Sequence, residues 1–339
     1  MKQHCKRLFI LLVVVTFSMS ATSTIFAGGS AEATQDRITI SVASYFASTH
    51  PQIVAFQEVF KPMVEEQSGG RITVNIYPDN QLGGEREFTE QLRNGDIQMA
   101  INGMLLANTL PRLMTPSLPF LWEDTEHAMS TLNSPIGDEI LEGIEELDIL
   151  PVAWSANGWR IISTQGKPIR SLADARGITL RIPEVEYFIL TFEALGFNAV
   201  TMSFAELFGA MQQGVVDGQD NPAPTFVASN FYEVQDHLAI THHMFEPNYY
   251  AVNKPWFESL SLEDQQLIRE AAEQTAEYEV ELLMQEDAAA LEYAEEQGVT
   301  ITYPDRDEFL AAVQPVYETY GNRYDWFDDL IERIRANAP

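Results

Sequence analysis

A chain of 339 residues, 45% of them apolar, has room for two ordinary globular domains of about 150 residues each. Its 50 acidic against 20 basic residues, a formal net charge of −30, exclude nucleic acid and anionic membrane surfaces as favoured partners, so any anion site must be local, recessed and built from the few arginines present. The one cysteine, Cys5, lies in a segment expected to be removed, which excludes disulfides and thiol chemistry from the mature chain.

Lys2, Lys6 and Arg7, an apolar run from Leu8 to Phe17 and small residues to Ala27 have the layout of a secretory signal peptide. Its apolar core is shorter than the roughly 20 residues a spanning helix needs. Residues 1–33 are therefore expected to be a leader, cut after Ala27 or Ala33, and the mature protein to be soluble and exported. Strands are predicted at Ile38 to Ala43, Ile72 to Ile76, Ile97 to Ile101, Ile149 to Ala153, Ile178 to Ile182 and Phe197 to Thr201, with helices between most of them. The first helix runs from Pro51 to Gln67 and stops at Ser68-Gly69-Gly70; another runs from Glu85 to Arg93 and stops at Asn94-Gly95. Strands alternating with helices mean an α/β architecture with parallel pairing. In "SFAELFGAMQQG", Ser203 and Glu206 read as a capping box, Phe204, Leu207, Phe208 and Met211 as the apolar stripe, and Gly214 as the stop. From Ser261 to Gln297 there is neither proline nor glycine, which predicts one helix of about ten turns, long enough to cross from one lobe to another, with Val280, Leu283 and Met284 as an apolar patch.

Enzyme signatures are mostly missing: there is no P-loop, G-x-G-x-x-G, G-x-S-x-G or H-E-x-x-H. "THHMFE" offers His242, His243 and Glu246 as metal ligands, with His50 and His237 to join them, but adjacent histidines on an extended stretch point to opposite faces, so ordinary loop or interface histidines are the other reading. Gly83 and Gly84 precede a helix whose first turn holds Glu85 and Glu87, acidic residues that suit a helix start without any bound anion. In "RGITLRIPEV", Pro183 ends the strand and leaves Arg181 at its carboxyl edge, where open α/β sheets bind ligands. The alternative there is a surface pair with Glu184 or Glu186. Arg160, in "SANGWRIIST", follows an apparent Asn157-Gly158 turn, and its guanidinium, like that of Arg181, matches a carboxylate bidentately. "VVDGQDNP" reads as a short apolar strand, an Asp217-Gly218 turn, and an Asn221 that either caps the next helix or bonds a ligand oxygen.

The order of these pieces resembles the DctP-type substrate-binding proteins of tripartite ATP-independent periplasmic (TRAP) transporters, over essentially the whole mature chain. The resemblance is densest from "GWRIISTQGKPIRSLADARGITLRIP" through "LGFNAVTMSFAELFGAMQQGVVDGQDNP". It implies two α/β lobes, 34–157 with 247–286 and 158–246 with 287–339, the long helix spanning both and the ligand enclosed by hinge closure. It implies Arg181 as the clamp on the ligand carboxylate, Arg160 in support, Asn221 on the ligand side and Phe204 packed over the ligand. Tyr45 and His50 after the first strand, Asn102 at the end of the third, and Trp159 beside Arg160 complete the expected set. The "AINGM" stretch lacks the carboxylate some relatives carry there, which argues against a sialic-acid-type ligand and leaves C4-dicarboxylates, keto acids and sugar acids. The function implied is a monomeric, non-enzymatic periplasmic receptor, without cofactor or metal, that hands a small carboxylate to a TRAP permease. A sensor for a receptor kinase and a metal-dependent periplasmic enzyme are the alternatives.

Overall fold

The computed structural model describes residues 37–338; the expected leader, with Cys5 and both cleavage sites, lies outside the described residues. Nine strands form one mixed sheet: β1 (Ile38–Ala43), β2 (Ile72–Tyr77), β3 (Met99–Asn102), β4 (Ile149–Thr164), β5 (Thr179–Ile182), β6 (Asn198–Thr201), β7 (Gly218–Asn221), β8 (His237–Asn253) and β9 (Thr300–Thr302). Their order is β2-β1-β3-β8-β4-β7-β5-β6, with β9 on β8. The β2-β1-β3 flank and the β7-β5-β6 flank are each parallel within themselves. Between them β4 and β8 run antiparallel to each other, β8 pairing with β3 and β4 with β7. The architecture is therefore α/β and two-lobed, with both lobes hung on the same pair of crossing strands.

Three departures from the sequence reading lie on those crossings and on β7 beside them. The strand expected over Ile149 to Ala153 continues to Thr164, and Asn157-Gly158 is no turn: Gly158, at φ 112°, sits in a bulge where the register slips between Ala156 and Gly158. The strand in "VVDGQDNP" is Gly218–Asn221, after the Asp217-Gly218 step rather than before it, and Val215 is exposed. "THHMFE" is the middle of β8, which tolerates Pro247 because it pairs with Ala156 at that same bulge. The Phe204–Gln212 helix forms as expected, but the Ser203 hydroxyl donates to the Glu206 carboxylate at 2.7 Å instead of capping the backbone.

The long helix spans Leu262–Glu296, and Ser261 caps it by accepting the Asp264 N–H at 3.1 Å. At 1.5 Å per residue its 35 residues extend about 52 Å. Ile268, Ala271, Ala272 and Ala276 pack with Ile40 and Val42 of β1 and Tyr250 of β8. Ala290 and Ala294 pack with Leu207 and Met211 of the Phe204–Gln212 helix and Leu238 at the other end of β8. Between these stations Leu283 is buried against the bulge, 3.3 Å from where a Cβ on Gly158 would stand, and the buried Glu279 carboxyl accepts the Ala156 N–H at 3.1 Å. Burial pushes the Glu279 pKa well up, against the bond from the Ala156 N–H. Met284, expected in the patch with Val280 and Leu283, is exposed instead. The last helix, Phe327–Ala336, packs on the helices Thr125–Leu132 and Pro135–Ile140: the Ile334 carbonyl meets His127 Nε2 at 2.9 Å and Arg333 donates to Glu139 at 3.0 Å.

Leu283→Ala should destabilise the protein by about 2 to 5 kcal/mol by leaving a cavity at the bulge, whereas Met284→Ala should stay within about 0.5 kcal/mol of the parent. Urea unfolding of both variants checks the pair; equal effects would mean that the helix is not anchored through Leu283.

Candidate functional site

A cavity of about 430 Å³ opens between the flanks. Arg181, Arg160, Asn221, Phe204 and Tyr45 all line it, as do Glu85, Glu246, Tyr187, Phe188 and Asn157. Arg181 is the third residue of β5, which ends at Ile182 because Pro183 cannot continue the ladder. It is buried, its Nε donates to the Met202 carbonyl at 2.8 Å, and its guanidinium carbon stands 5.9 Å from the Phe204 ring. No salt bridge joins Arg181 to an acidic side chain among the described residues: Glu184 pairs with Arg86 at 3.3 Å and Glu186 with Arg323 at 2.7 Å. Burial pulls the Arg181 pKa down to about 10, against the opposing pull of Asp220, so it remains charged at neutral pH.

Arg160, on β4, is committed differently. Its Nε donates to Asp220 Oδ2 at 2.5 Å, its terminal nitrogen to the Asp220 carbonyl at 2.6 Å, and its guanidinium lies over Phe188 at 4.8 Å. His243 Nε2 approaches the same Asp220 oxygen at 3.4 Å. Burial alone would raise the Asp220 carboxyl, but the Arg160 charge and the bonds from His243 and Arg160 hold it at about 2. Arg160 and Asp220 thus form a buried, closed pair beneath the cavity, and Arg181 is left with its charge uncommitted.

The other wall carries acids. Glu85 opens the helix Glu85–Asn94 and accepts the Gly103 N–H at 2.8 Å; burial pushes its pKa up to about 7, against the Gly103 and Leu105 N–H groups. Glu246, on β8, is likewise pushed to about 7 by burial, against the nearby Arg160, and its Oε1 lies 3.4 Å from the Tyr187 hydroxyl. At the mouth the flanks touch through Arg86 and Glu184, through Asn108 with the Glu184 carbonyl (2.8 Å) and Glu186 N–H (3.2 Å), and through the Tyr45 and Phe204 rings, 5.7 Å apart.

The family model described as bacterial extracellular solute-binding protein, family 7 (DctP) matches residues 42–323. The chain belongs to the DctP family. A TRAP periplasmic solute-binding protein from Haemophilus influenzae, solved with bound L-gulonate, is 31% identical and superposes with a TM-score of 0.86 over 89% of this chain and 100% of its own. The sugar acid-binding protein DctPAm from Advenella mimigardefordensis, in complex with galactonate, is 26% identical with a TM-score of 0.85 over 89% and 98% of the two chains. The 2,3-diketo-L-gulonate-binding periplasmic protein YiaO of Escherichia coli is 29% identical over 269 residues, 79% of this chain and 82% of its own.

Within this DctP chain three of the eight expected site residues stand away from the cavity wall. Asn102 is buried behind Gly103, with its amide on Thr89 Oγ1 at 3.1 Å. His50 caps the helix at Pro51 through Nδ1, so its Nε2–H donates to Thr225 Oγ1 at 3.0 Å, and Thr225 in turn donates to Asn157 Oδ1 at 2.8 Å. Burial drives the His50 pKa down to about 3, which keeps it neutral. Trp159 points to a separate groove shared with His242 and Arg306, and its Nε1 donates to Thr125 at 3.1 Å. Asn221 caps no helix: Pro222 holds that position, and the Asn221 amide donates to Gln219 Oε1 at 2.5 Å. The metal reading of "THHMFE" fails on placement, since His243 turns to Asp220, His242 to the far groove, and His237 to Asp236 at 2.5 Å. No group of three or more His, Cys, Asp or Glu suited to a metal occurs among the described residues. Sequence reasoning overlooked Asp220, Tyr187 and Phe188 and offered Glu246 only as a metal ligand; pairing β8 with β4, which sets Glu246 opposite Gly158 and Met244 opposite Arg160, is the signal that brings Glu246 to the site.

Asp220→Asn should cost about 3 to 5 kcal/mol of stability at neutral pH by leaving Arg160 buried without its counter-charge. The folded pKa of Asp220 lies below its unfolded value of about 3.9, so its contribution is present above about pH 4 and is lost as the pH falls through about 2. Denaturant titrations across that window should show a flatter acid limb in Asp220→Asn; an unchanged limb would mean the pair contributes nothing.

Proposed function

We propose that this protein is a periplasmic TRAP-type receptor that closes on a small carboxylate and presents it to a membrane permease. The observation that carries this reading is Arg181: a buried cation at a strand's carboxyl edge, facing a cavity, with no acidic partner among the described residues. A planar guanidinium so held suits a bidentate carboxylate, and its burial makes the pairing stronger than a surface contact. Asn221 and Tyr45 offer further hydrogen bonds, and Phe204 and Phe188 offer apolar faces. Arg160 supports the site through Asp220 rather than as a second free cation. The sugar acids named for the related proteins, gulonate and galactonate, fit the same requirement of one carboxylate at one end.

In this reading the protein acts as a monomer, catalyses nothing, binds no nucleic acid and holds no cofactor. Its lobes, 34–157 with 247–286 and 158–246 with 287–339, move as bodies about the β4–β8 crossing, with the long helix as support and the last helix, which packs on His127 and Glu139 of the first lobe, tying the two together at one side. No helix among the described residues is long and apolar enough to cross a membrane.

A thermal-shift screen against organic and sugar acids should find the ligand, because saturation at 100 times Kd adds about 2.7 kcal/mol of stability. By calorimetry, Arg181→Ala and Arg181→Lys should each lose about two to three and a half decades of affinity, the equivalent of about 3 to 5 kcal/mol. Affinity within about threefold of the parent would assign the clamp elsewhere. Small-angle scattering should show a smaller radius with ligand while circular dichroism stays constant, since whole lobes move; an unchanged radius would mean a preformed pocket.

A further inference from the structure

Of the three irregularities in the β4–β8 ladder, the middle one leaves Asn157 without a cross-strand partner, since Ala156 stands opposite Pro247 and Gly158 opposite Glu246. Both strands pass between the proposed lobes at this point. Gly158 takes φ 112°, a backbone conformation that residues with side chains rarely adopt, so the stretch has to be held by its surroundings. The hold is at Ala156, and it comes from outside the sheet. The Ala156 N–H donates to Glu279 Oε2 of the long helix at 3.1 Å, and the Ala156 carbonyl accepts Gln52 Nε2 of the helix Pro51–Ala55 at 2.9 Å. The Gln52 amide also donates to the neighbouring Ser155 hydroxyl at 3.2 Å. Glu279 and Gln52 are both fully buried, and a polar side chain in such a place needs specific bonds to offset its lost hydration.

Asn157, next in the chain, belongs to the cavity wall. Its Oδ1 accepts the Thr225 hydroxyl at 2.8 Å, which turns the amide so that Nδ2 is its remaining donor. As the extra residue of a bulge it has no ladder pairing to fix it, yet a group that meets a ligand must be held to within about 0.5 Å. The geometry points to Glu279 and Gln52 as positioning residues of the ligand site: by taking the N–H and the carbonyl of Ala156, they hold Asn157 in place for the bound anion. This inference rests on the receptor function proposed above. It gives the long helix a part in affinity, although no residue of that helix lines the cavity among the described residues. Glu279 supplies an acceptor that the irregular ladder does not, and Gln52 a donor, so what matters in each is the hydrogen bond and not the bulk of the side chain.

Two substitutions at one position separate the bond from the bulk. Glu279→Gln keeps an oxygen for the Ala156 N–H, whereas Glu279→Met keeps a similar volume and removes both oxygens, an exchange that need not cost stability overall. Calorimetry with gulonate, galactonate, glucuronate, succinate and malate, well below the melting temperature of each variant, should show the tightest binder weakened by about tenfold or more in Glu279→Met and by less than about threefold in Glu279→Gln. In ligand-free protein, the Ala156 amide should exchange with deuterium about tenfold faster in Glu279→Met than in Glu279→Gln. Asn157→Ala should itself weaken binding, and adding Glu279→Met to it should change affinity by less than about threefold, because the two act through one residue. If Glu279→Met fails to fold, Gln52→Met carries the same measurements from the carbonyl side; failure of both to fold would assign the grips to the fold alone and overturn the inference. Affinity within about threefold of the parent in the methionine variant, equal losses in both Glu279 variants, an Ala156 amide that exchanges alike in both, or a loss that stays full in the Asn157→Ala background would overturn it while the receptor function stands. No binding of any of the five acids by the parent would overturn the receptor function and the inference together.

Discussion

The antiparallel pairing of β4 with β8, running from Ile149 opposite Asn253 to Thr164 opposite His237, sets the position of everything else in the molecule. Each of the two strands carries one flank's contact to the other, so the parallel strands on either side are held in a common frame without a separate linker. The bulges between Pro151 and Ala153, Ala156 and Gly158, and Arg160 and Ile162 bend that ladder where the cavity lies. Bulges re-aim side chains and increase local twist, and here they bring Arg160, Asn157 and Glu246 to one place from two strands. The long helix then braces the crossing from behind, with the buried Glu279 bonded to the backbone of Ala156 and Leu283 filling the space that Gly158 leaves open.

Charge is distributed in layers around that frame. The surface is strongly acidic, yet the cavity keeps one positive charge available by sequestering the other arginines with partners of their own. Sequestration of Arg160 works because Asp220 is as deeply buried as the guanidinium, and because His243 and the Asp220 carbonyl occupy the remaining bonding positions. The result is a site whose net preference is local and does not depend on the charge of the whole molecule, which salt screens beyond about 8 Å at physiological strength.

The sequence made the outer flanks plain and the crossing obscure, for a physical reason. β1 was legible to the residue because "ITISVA" alternates apolar and polar residues on a half-covered strand, and the long helix was legible because nothing in 37 residues interrupts it. β8 hid because a strand buried on both faces in a polar cavity wall carries Thr241, His243, Glu246 and Asn248 where an ordinary buried strand would carry valine and isoleucine. β7 hid for the same reason, since all of "GQDN" is buried and each side chain finds a specific partner or the cavity. Arg181 could be placed from Pro183 and the strand pattern alone; Asp220 and Glu246 could not, because their significance lies in pairings across strands that no local pattern encodes. His50 was expected at the ligand; it stands off the cavity wall and bonds Thr225, which in turn bonds the cavity-lining Asn157.

The contacts that join the flanks at the mouth have a thermodynamic consequence. Arg86 and Glu184 are both well exposed, and such ion pairs contribute at most about 1 kcal/mol. The Asn108 bonds lie in the open as well, and the Tyr45 and Phe204 rings add an apolar touch at the same mouth. If the flanks open and close as proposed, contacts of this kind at the mouth oppose opening only weakly, and binding would have to supply only a few kcal/mol to bias the two states. The shape of the molecule would then act as a readout of occupancy: a membrane partner that senses geometry alone could tell cargo from none.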